Sequence, residues 1–228
     1  MCVSHSNQPS TTIAGLNSNE RIPVDIDVVN HAQKTLEAVQ LVRLGARAAL
    51  VCQLTGLTKK MVGRLYPLLT GIPSPSGLVP FTDTWYLKSN QRLLQANVVW
   101  RLFQHLKKSG RSTASVLIHV YRTYRQITTT PSLSITRAFF VPRLLTMNTW
   151  RQRICDTCRL LYIGPRGNSE SICPACTEYF KYHCRSCGMT IDYHPAGRRK
   201  VVCSDCYEKQ KRNQKRLSDG AANGYPGF

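Results

Sequence analysis

Four short stretches in the last third of the chain, CDTC, CPAC, CRSC and CSDC, contain residues that bind metal ions. They hold eight of the ten cysteines: Cys155, Cys158, Cys173, Cys176, Cys184, Cys187, Cys203 and Cys206. Zn²⁺ prefers about four thiolate or imidazole ligands arranged as a tetrahedron. A CxxC turn presents two thiolates from one knuckle, and a second knuckle completes the site. The four pairs therefore predict two zinc ions per chain.

The spacing of the pairs favours one site after the other along the chain. Fourteen residues separate Cys158 from Cys173, and fifteen separate Cys187 from Cys203. Each gap suits a β-hairpin that brings one knuckle to its partner, as in a zinc ribbon. The simplest assignment puts the first four cysteines on one ion and the last four on the other. A cross-braced pairing of alternate knuckles remains the alternative.

A zinc ion held by four thiolates has a structural role, because no position is left for water or substrate. His183 and His194 lie beside the second set and are interpreted as loop residues. A thioredoxin-like redox role would need a strand–CxxC–helix context, which is missing. The polar N-terminus contains no secretory signal peptide, so we expect a reducing compartment, where disulfides are disfavoured.

The chain is strongly basic, and its middle contains almost no acidic residues. It has 31 Lys and Arg against 12 Asp and Glu, a net charge of +19. Between Ala38 and Trp150, Asp83 is the only acid against fifteen Lys and Arg. This imbalance predicts binding to a polyanion such as DNA or RNA. The scarcity of carboxylates argues against an enzyme, since the one tempting pair, Asp192 and His194, falls in a ribbon loop. No stretch approaches the ~18 apolar residues of a membrane span.

Hydrophobic periodicity predicts that residues 25–150 are all α-helical. One helical pattern continues through LVRLGARAALVCQL, and the Pro-rich stretch GIPSPSGLVP then interrupts it. A single long helix is expected over TDTWYLKSNQRLLQANVVWRLFQHLKKSG, and Ser112 can cap the next one. A last helix should run from Pro131 towards Trp150, with a kink or a split at Pro142.

The stretch ALVCQLTGLTKKMVGRLYPLL fits a helix-turn-helix. That motif needs a small residue in the first helix, a glycine in the turn and an apolar residue in the second helix. Cys52, Gly56 and Val62 meet these demands, and Thr58 can cap the second helix. Basic side chains at its outward positions would reach phosphates and guanine edges, with Tyr66 beside them: Lys59, Lys60 and Arg64. A plain helical hairpin fits the pattern nearly as well.

These segments, followed by a CxxC…CxxC module, resemble the FlhC-type flagellar master transcriptional activators and related activators on mobile genetic elements. The resemblance covers roughly residues 26–180, and its most specific parts are LxxLGAR and the Pro-rich stretch that runs into PF-x-x-x-W. It implies a bacterial, cytoplasmic, nucleoid-associated activator that recruits RNA polymerase to specific promoters. It also implies a heteromer with small helical FlhD-type subunits. The two together would bind double-stranded promoter DNA.

The family's single zinc site maps onto the first four cysteines of this chain. The second four-cysteine set at 184–206 and the longer N-terminal arm depart from the family pattern. This departure favours a divergent branch, such as a mobile-element or non-enteric regulator, over a flagellar role.

The predicted fold is a mainly α N-terminal domain with a helix-turn-helix-like hairpin, followed by small β zinc-ribbon modules. A disordered arm at 1–24 precedes an all-α partner- and DNA-binding domain at 25–150. Two zinc-ribbon-like modules of four cysteines each occupy 151–208, and a basic, disordered tail occupies 209–228. Three consecutive cations in the second module are further predicted DNA contacts: Arg198, Arg199 and Lys200.

An RNA-binding zinc-ribbon protein is the alternative function. Aromatic residues near the knuckles could stack on bases. We favour the interpretation that they pack the small ribbon cores instead. They are Tyr162, Tyr179, Phe180, Tyr182, Tyr193 and Tyr207.

Overall fold

The computed structural model describes residues 26–75, 80, 82–106, 110–167, 171–191 and 201–222, without the side chains of 216–222. The arm predicted at 1–24 and the end of the tail after 222 lie outside the described residues. None of the described helices combines the length and the apolar character needed to cross a membrane.

Helices dominate the described part of the chain, and two strands follow the seventh helix. The helices are α1 (Ile26–Arg43), α2 (Ala48–Thr55), α3 (Lys59–Thr70), α4 (Thr84–Leu87), α5 (Asn90–Leu106), α6 (Thr113–Ile127), α7 (Ile135–Thr146), α8 (Pro174–Tyr179) and α9 (Ser204–Ala222). The strands are β1 (Trp150–Ile154) and β2 (Leu161–Pro165). The predicted fold class, a mainly α region followed by a small β and cysteine-rich region, is confirmed. Helix α9 covers much of the segment that the sequence suggested was a disordered tail.

The helix expected to continue through LVRLGARAALVCQL is in fact two helices, α1 and α2. Gly45 takes a left-handed backbone conformation with φ of 82°. The N–H of Ala46 then donates to the carbonyl of Leu41 at 2.9 Å, which closes the end of α1. Glycine adopts this conformation at little cost, so the LGAR segment ends one helix and lets the next one turn back.

The long helix expected after the Pro-rich stretch is likewise two helices, α4 and α5. Ser89 separates them, and its Oγ accepts the N–H of Arg92 at 3.3 Å, as an N-cap does. The carboxylate of Asp83 does not cap α4. It accepts a hydrogen bond from Trp150 Nε1 at 2.9 Å. The fully buried Tyr86 packs edge-on against Trp150, so α4 is fixed to the start of β1.

The caps of α6 and α7 show one confirmed and one wrong prediction. Ser112 caps α6 as expected, with its Oγ accepting the N–H of Ser115 at 3.0 Å. Helix α7 starts later than predicted, because Ser134 and not Pro131 precedes its first turn and caps it. Pro142 lies inside α7, which runs as one helix on both sides of it.

Helix α5 connects the helical region to the cysteine-rich region. It packs against α4, α6 and α7 on one side and against β2 and α8 on the other. Its inward face is apolar and closely packed, with Ala96 and Val99 fully buried and Trp100 nearly so. The position of the first cysteine cluster is therefore set by the same helix that organises the hydrophobic core.

The two strands form one antiparallel hairpin, with Trp150 opposite Pro165 and Ile154 opposite Leu161. A hairpin was expected in the gap between two knuckles, but β1 precedes the first CxxC and β2 follows it. The CxxC knuckle itself reverses the chain, so it acts as the turn of the hairpin. Around the first CxxC of the second cysteine set, Cys184–Cys187, the described residues form only an isolated β-bridge between His183 and Thr190.

Candidate metal centres and nucleic-acid interface

The eight paired cysteines form two clusters, and in each the four sulfur atoms lie within 4.8 Å of one another. The proximal site consists of Cys155, Cys158, Cys173 and Cys176. The distal site consists of Cys184, Cys187, Cys203 and Cys206. The cysteines thus pair in chain order and not in the cross-braced arrangement.

The spacing of the sulfur atoms fits a tetrahedral metal ion. The Sγ atoms of Cys158 and Cys173 are 3.7 Å apart, and so are those of Cys187 and Cys203. A tetrahedron with Zn–S bonds of ~2.3 Å has edges of about 3.8 Å between its sulfur atoms. Each cluster supplies four sulfur ligands from two knuckles, so each could hold one metal ion with no open position.

The second knuckle of the proximal site is built into the start of α8. Cys173 is the N-cap residue, and its Sγ accepts the N–H of Cys176 at 3.4 Å. Pro174 follows at the first helical position, where its missing N–H has no cost. The N–H of Cys173 in turn donates to the Sγ of Cys155 at 3.2 Å. Backbone donors therefore turn towards two of the four sulfur atoms.

Backbone donors of this kind lower the pKa of the Cys155 thiol. Burial raises its pKa, but the backbone N–H groups of Cys158, Cys173 and Thr157 outweigh burial and lower the pKa to about 6. Burial and the neighbouring thiols both raise the pKa of Cys176. A divalent cation bound between these sulfur atoms would favour the thiolate form of both cysteines.

The first cysteine of the distal site behaves in the same way. Burial raises the pKa of Cys184, but the backbone N–H groups of Cys203, Cys187 and Ser186 lower it to about 6. His183 lies next to this site and is not one of the clustered ligands. Its ring stacks on Tyr179 with 3.9 Å between the ring centroids. His194 lies outside the described residues.

Polar side chains of α5 hold the proximal site in place, and the sequence analysis missed them. The Nδ2 of Asn97 donates to the carbonyl of Ile163 at 3.0 Å, and its Oδ1 accepts the N–H of Ile163 at 2.7 Å. Asn90 donates to the carbonyl of Pro174 at 3.0 Å. Arg101 donates to the carbonyl of Leu161 at 2.8 Å. The one sequence signal was a lone asparagine within the apolar run ANVVW.

The helix-turn-helix candidate consists of α2 and α3, joined by a short turn. Gly56 ends α2 in a left-handed conformation with φ of 73°. The Oγ1 of Thr58 caps α3 by accepting the N–H of Met61 at 3.3 Å. Val62 is fully buried and Leu57 nearly so. The glycine, cap and apolar positions thus have the local structure that the pattern requires.

The cations predicted on the second helix are exposed, but the tyrosine beside them is not. Lys59, Lys60 and Arg64 all lie on the solvent side of α3. Tyr66 was expected to point outward, which is wrong. It is buried, and its hydroxyl donates to the carbonyl of Ala46 at 3.0 Å, so it fixes α3 to the segment before α2. The predicted DNA contacts at 198–200 lie outside the described residues.

Most aromatic residues near the knuckles do not pack ribbon cores, contrary to the favoured expectation. Tyr162 is buried beside the proximal site. Tyr179, Tyr182 and Tyr207 are 50%, 49% and 59% exposed. Phe180 is half-buried and packs edge-on against Tyr179. Tyr193 lies outside the described residues.

Comparison with known protein families identifies a match that covers most of the chain. The model of the flagellar transcriptional activator family FlhC matches residues 25–187, most of the chain. The chain belongs to the FlhC family. The resemblance found in the sequence is therefore confirmed. The match ends at Cys187, so Cys203 and Cys206 of the distal site lie beyond it.

Individual relatives agree with the family assignment. The flagellar transcriptional regulator FlhC of Pectobacterium carotovorum is 27% identical over 157 residues, 65% of this chain and 81% of the relative. That of Enterobacter cloacae is 30% identical over 141 residues, 59% of this chain and 70% of the relative. That of Paraburkholderia phymatum is 28% identical over 152 residues, 64% of this chain and 69% of the relative. Together with the family model, these names support a transcriptional activator.

Proposed function

We propose that this chain is a DNA-binding transcriptional activator that works as a heteromer with an FlhD-type subunit. It recruits RNA polymerase to specific promoters in the bacterial cytoplasm, at the nucleoid. The observation that carries the proposal is the pair α2 and α3, a capped helix-turn-helix with an exposed basic second helix, in a chain of the FlhC family. We further propose that the chain divides near residue 150 into a partner- and DNA-binding domain and a cysteine-rich part.

The second helix of the pair presents its cations where duplex DNA would meet them. Lys59 and Lys60 lie in the first turn of α3, and Arg64 lies one turn further on the same face as Lys60. Exposed Lys and Arg at the start of a recognition helix contact phosphates and guanine edges in the major groove. Within the described residues, none of these three cations forms an ion pair.

The first half of α1 supports a partner subunit. All residues from Ile26 to Lys34 are exposed, although α1 packs on α2, α3 and α6 further along. Ile26, Val29 and Leu36 share one side of the helix and are 74%, 50% and 58% exposed. An amphipathic stripe of this kind is typical of a helix that packs against another helix. A small helical subunit of the FlhD type would cover it.

Two Zn²⁺ ions per chain are proposed as structural cofactors. The four sulfur atoms of each site are close enough to share one ion, and zinc is the metal that favours such a set. Zinc supplies folding free energy at such a site and no catalytic chemistry. The chain's own residues orient each site through N–H groups directed at the sulfur atoms.

Promoter binding by the co-purified heteromer tests the proposal. We would measure fluorescence anisotropy of a labelled promoter duplex and of a scrambled duplex. The change Lys60→Gln with Arg64→Gln should reduce the preference for the promoter at least tenfold, since each specific base contact is worth about 1–3 kcal/mol. The control Arg122→Gln with Arg125→Gln removes the same charge from the exposed side of α6. An unchanged preference in the α3 variant would contradict the proposal.

RNA binding remains a second candidate because of three tyrosines around the two sites. Tyr179, Tyr182 and Tyr207 are about half exposed and lie near many cations. Aromatic rings beside a basic surface bind single-stranded nucleic acid by stacking on its bases. Single-stranded RNA added as a competitor in the same anisotropy assay separates the two functions. RNA that displaces the promoter duplex at equal concentration would favour the RNA-binding function.

A further inference from the structure

The distal site repeats the backbone of the proximal site. In the proximal site the N–H of Cys173 donates to the Sγ of Cys155 at 3.2 Å. In the distal site the N–H of Cys203 donates to the Sγ of Cys184 at 3.3 Å. In both sites, the second knuckle is thus joined to the first by an equivalent N–H···S hydrogen bond.

The loops around the two sites are joined in the same way. The N–H of Asp156 donates to the carbonyl of Ser171 at 3.0 Å, and that of Arg185 donates to the carbonyl of Val201 at 3.1 Å. The residue after each first knuckle is left-handed, with φ of 59° at Arg159 and 74° at Gly188. These equivalent positions lie 29 residues apart at the first knuckle and 30 at the second. The distal site is therefore a structural repeat of the proximal one.

The two copies differ in what they pack against. The proximal copy rests on α5 through α8 and β2. At the corresponding position, buried Pro174 is replaced by exposed Ser204. Within the described part of the chain, α9 has no packing against another helix or strand comparable to that of α8 on α5. Among the described residues, α9 of the distal copy therefore does not dock on the helical region as α8 does.

The distal copy is also much more basic. Residues 150–182 contain five Lys and Arg against three Asp and Glu, whereas residues 183–218 contain nine against three. Four cations lie on the exposed part of α9, with no acid from Lys209 to Ser218: Lys209, Lys211, Arg212 and Lys215. Lys209, Lys211 and Arg212 have no ion pair within the described residues.

The composition of α9 indicates which partner it binds. From Lys209 to Lys215 the helix reads KQKRNQK, without a single apolar residue. A protein interface needs a desolvated core, usually with aromatic or aliphatic side chains. The phosphate backbone of DNA needs only exposed cations, and helices commonly provide them. A helix of 19 residues is about 28 Å long, nearly one turn of duplex DNA.

We propose that the distal four-cysteine copy and α9 form a second contact with duplex DNA, which binds the sugar-phosphate backbone beside the promoter site held by α3. This inference rests on the proposed function, because it extends the footprint of the same activator. The distal copy contributes affinity and salt dependence, and α3 contributes sequence preference. Helix α9 continues directly from the second knuckle of the distal site, since it begins at Ser204, next to Cys203.

Salt dependence and duplex length test the inference on the full-length chain in its heteromer. The probes are a promoter duplex of about 20 base pairs and one of about 40 base pairs with the same centre. The variant replaces the four cations of α9 by Gln, a residue of good helix propensity. The control replaces four exposed cations elsewhere by Gln: Lys88, Arg111, Arg122 and Arg125. Two zinc ions per chain in each protein would confirm that the sites are intact.

We expect wild type and control to bind the longer duplex at least tenfold more tightly than the shorter one. The α9 variant should bind both alike. Each lost phosphate contact lowers the slope of log K against log salt by about 0.9, so up to about 3.6 should disappear from the slope on the longer duplex. Binding of the α9 variant to the short duplex should match wild type.

Three results would overturn the inference. The α9 variant could keep the full slope and the length preference, or the control could lose as much as the α9 variant. The loss could also appear on single-stranded RNA of the same length and not on duplex DNA. Failure of wild type to prefer the promoter duplex over a scrambled duplex would instead refute the proposed function itself, so the two failures are distinguishable.

Discussion

The change Asn97→Ala tests how the proximal site is fixed to the helical region. The side chain of Asn97 is 6% exposed and satisfies both backbone groups of Ile163, which is fully buried. Alanine would leave one N–H and one carbonyl of the strand without partners inside the protein. An unsatisfied buried polar group costs about 1–3 kcal/mol. With two such groups, we expect the free energy of unfolding to fall by about 2–6 kcal/mol, with the lower end reached if a water molecule enters.

Urea denaturation of the zinc-loaded chain, followed by far-ultraviolet circular dichroism, measures this loss. The matched control is Gln104→Ala, which removes an exposed amide from the same helix and should change stability by less than about 0.5 kcal/mol. Zinc content should stay at two ions per chain in both variants. A stability of Asn97→Ala within about 0.5 kcal/mol of wild type would refute the claim that α5 fixes the proximal site through this residue.

Other variants separate local backbone effects from the two metal sites. Thr58→Ala should lower the free energy of unfolding by about 1 kcal/mol, because α3 loses its N-cap; urea denaturation measures it. In the same assay Gly56→Ala should lower the free energy of unfolding by about 1 kcal/mol, because its φ of 73° is strained for a residue with a side chain. Gly63→Ala should instead raise it by about 0.5–1 kcal/mol, because Gly63 lies inside α3 with open space around an added Cβ. Equal signs for the two glycines would contradict this account. Cys184→Ser should lower the zinc content from two ions to one and leave the thermal unfolding of the helical region unchanged. Cys155→Ser should lower both the zinc content and the unfolding temperature of the helical region. Mass spectrometry measures the zinc, and calorimetry measures the unfolding. Equal effects of the two cysteine variants on the helical region would contradict the claim that the distal copy is not docked on it.

The features that the sequence predicted well are specified by residues close together in the chain. Each CxxC pair brings two thiols together within one turn, and both clusters were predicted from the spacing of these pairs. The turn at Gly56 and the cap at Thr58 likewise depend on their immediate neighbours. Ser112 is a third such case.

The features that the sequence did not reveal depend on tertiary contacts. The apolar pattern runs through Gly45 without a break, yet the left-handed glycine lets α2 turn back onto α1. Tyr66 looks like an outward polar position, but its hydroxyl finds a buried carbonyl twenty residues away. In the sequence Asn97 is only a polar residue within a helix, and its role depends on a hydrogen bond to the backbone of Ile163, which is distant in the chain. Periodicity and spacing contain no information about such partners.

Chromatin immunoprecipitation of the tagged protein in its native host tests the central claim most directly, with and without the gene of its small helical partner. The proposed function predicts sharp peaks just upstream of a limited set of genes, and it predicts that they vanish when the partner is absent. A flat profile in both strains, with RNA recovered in place of DNA, would contradict it.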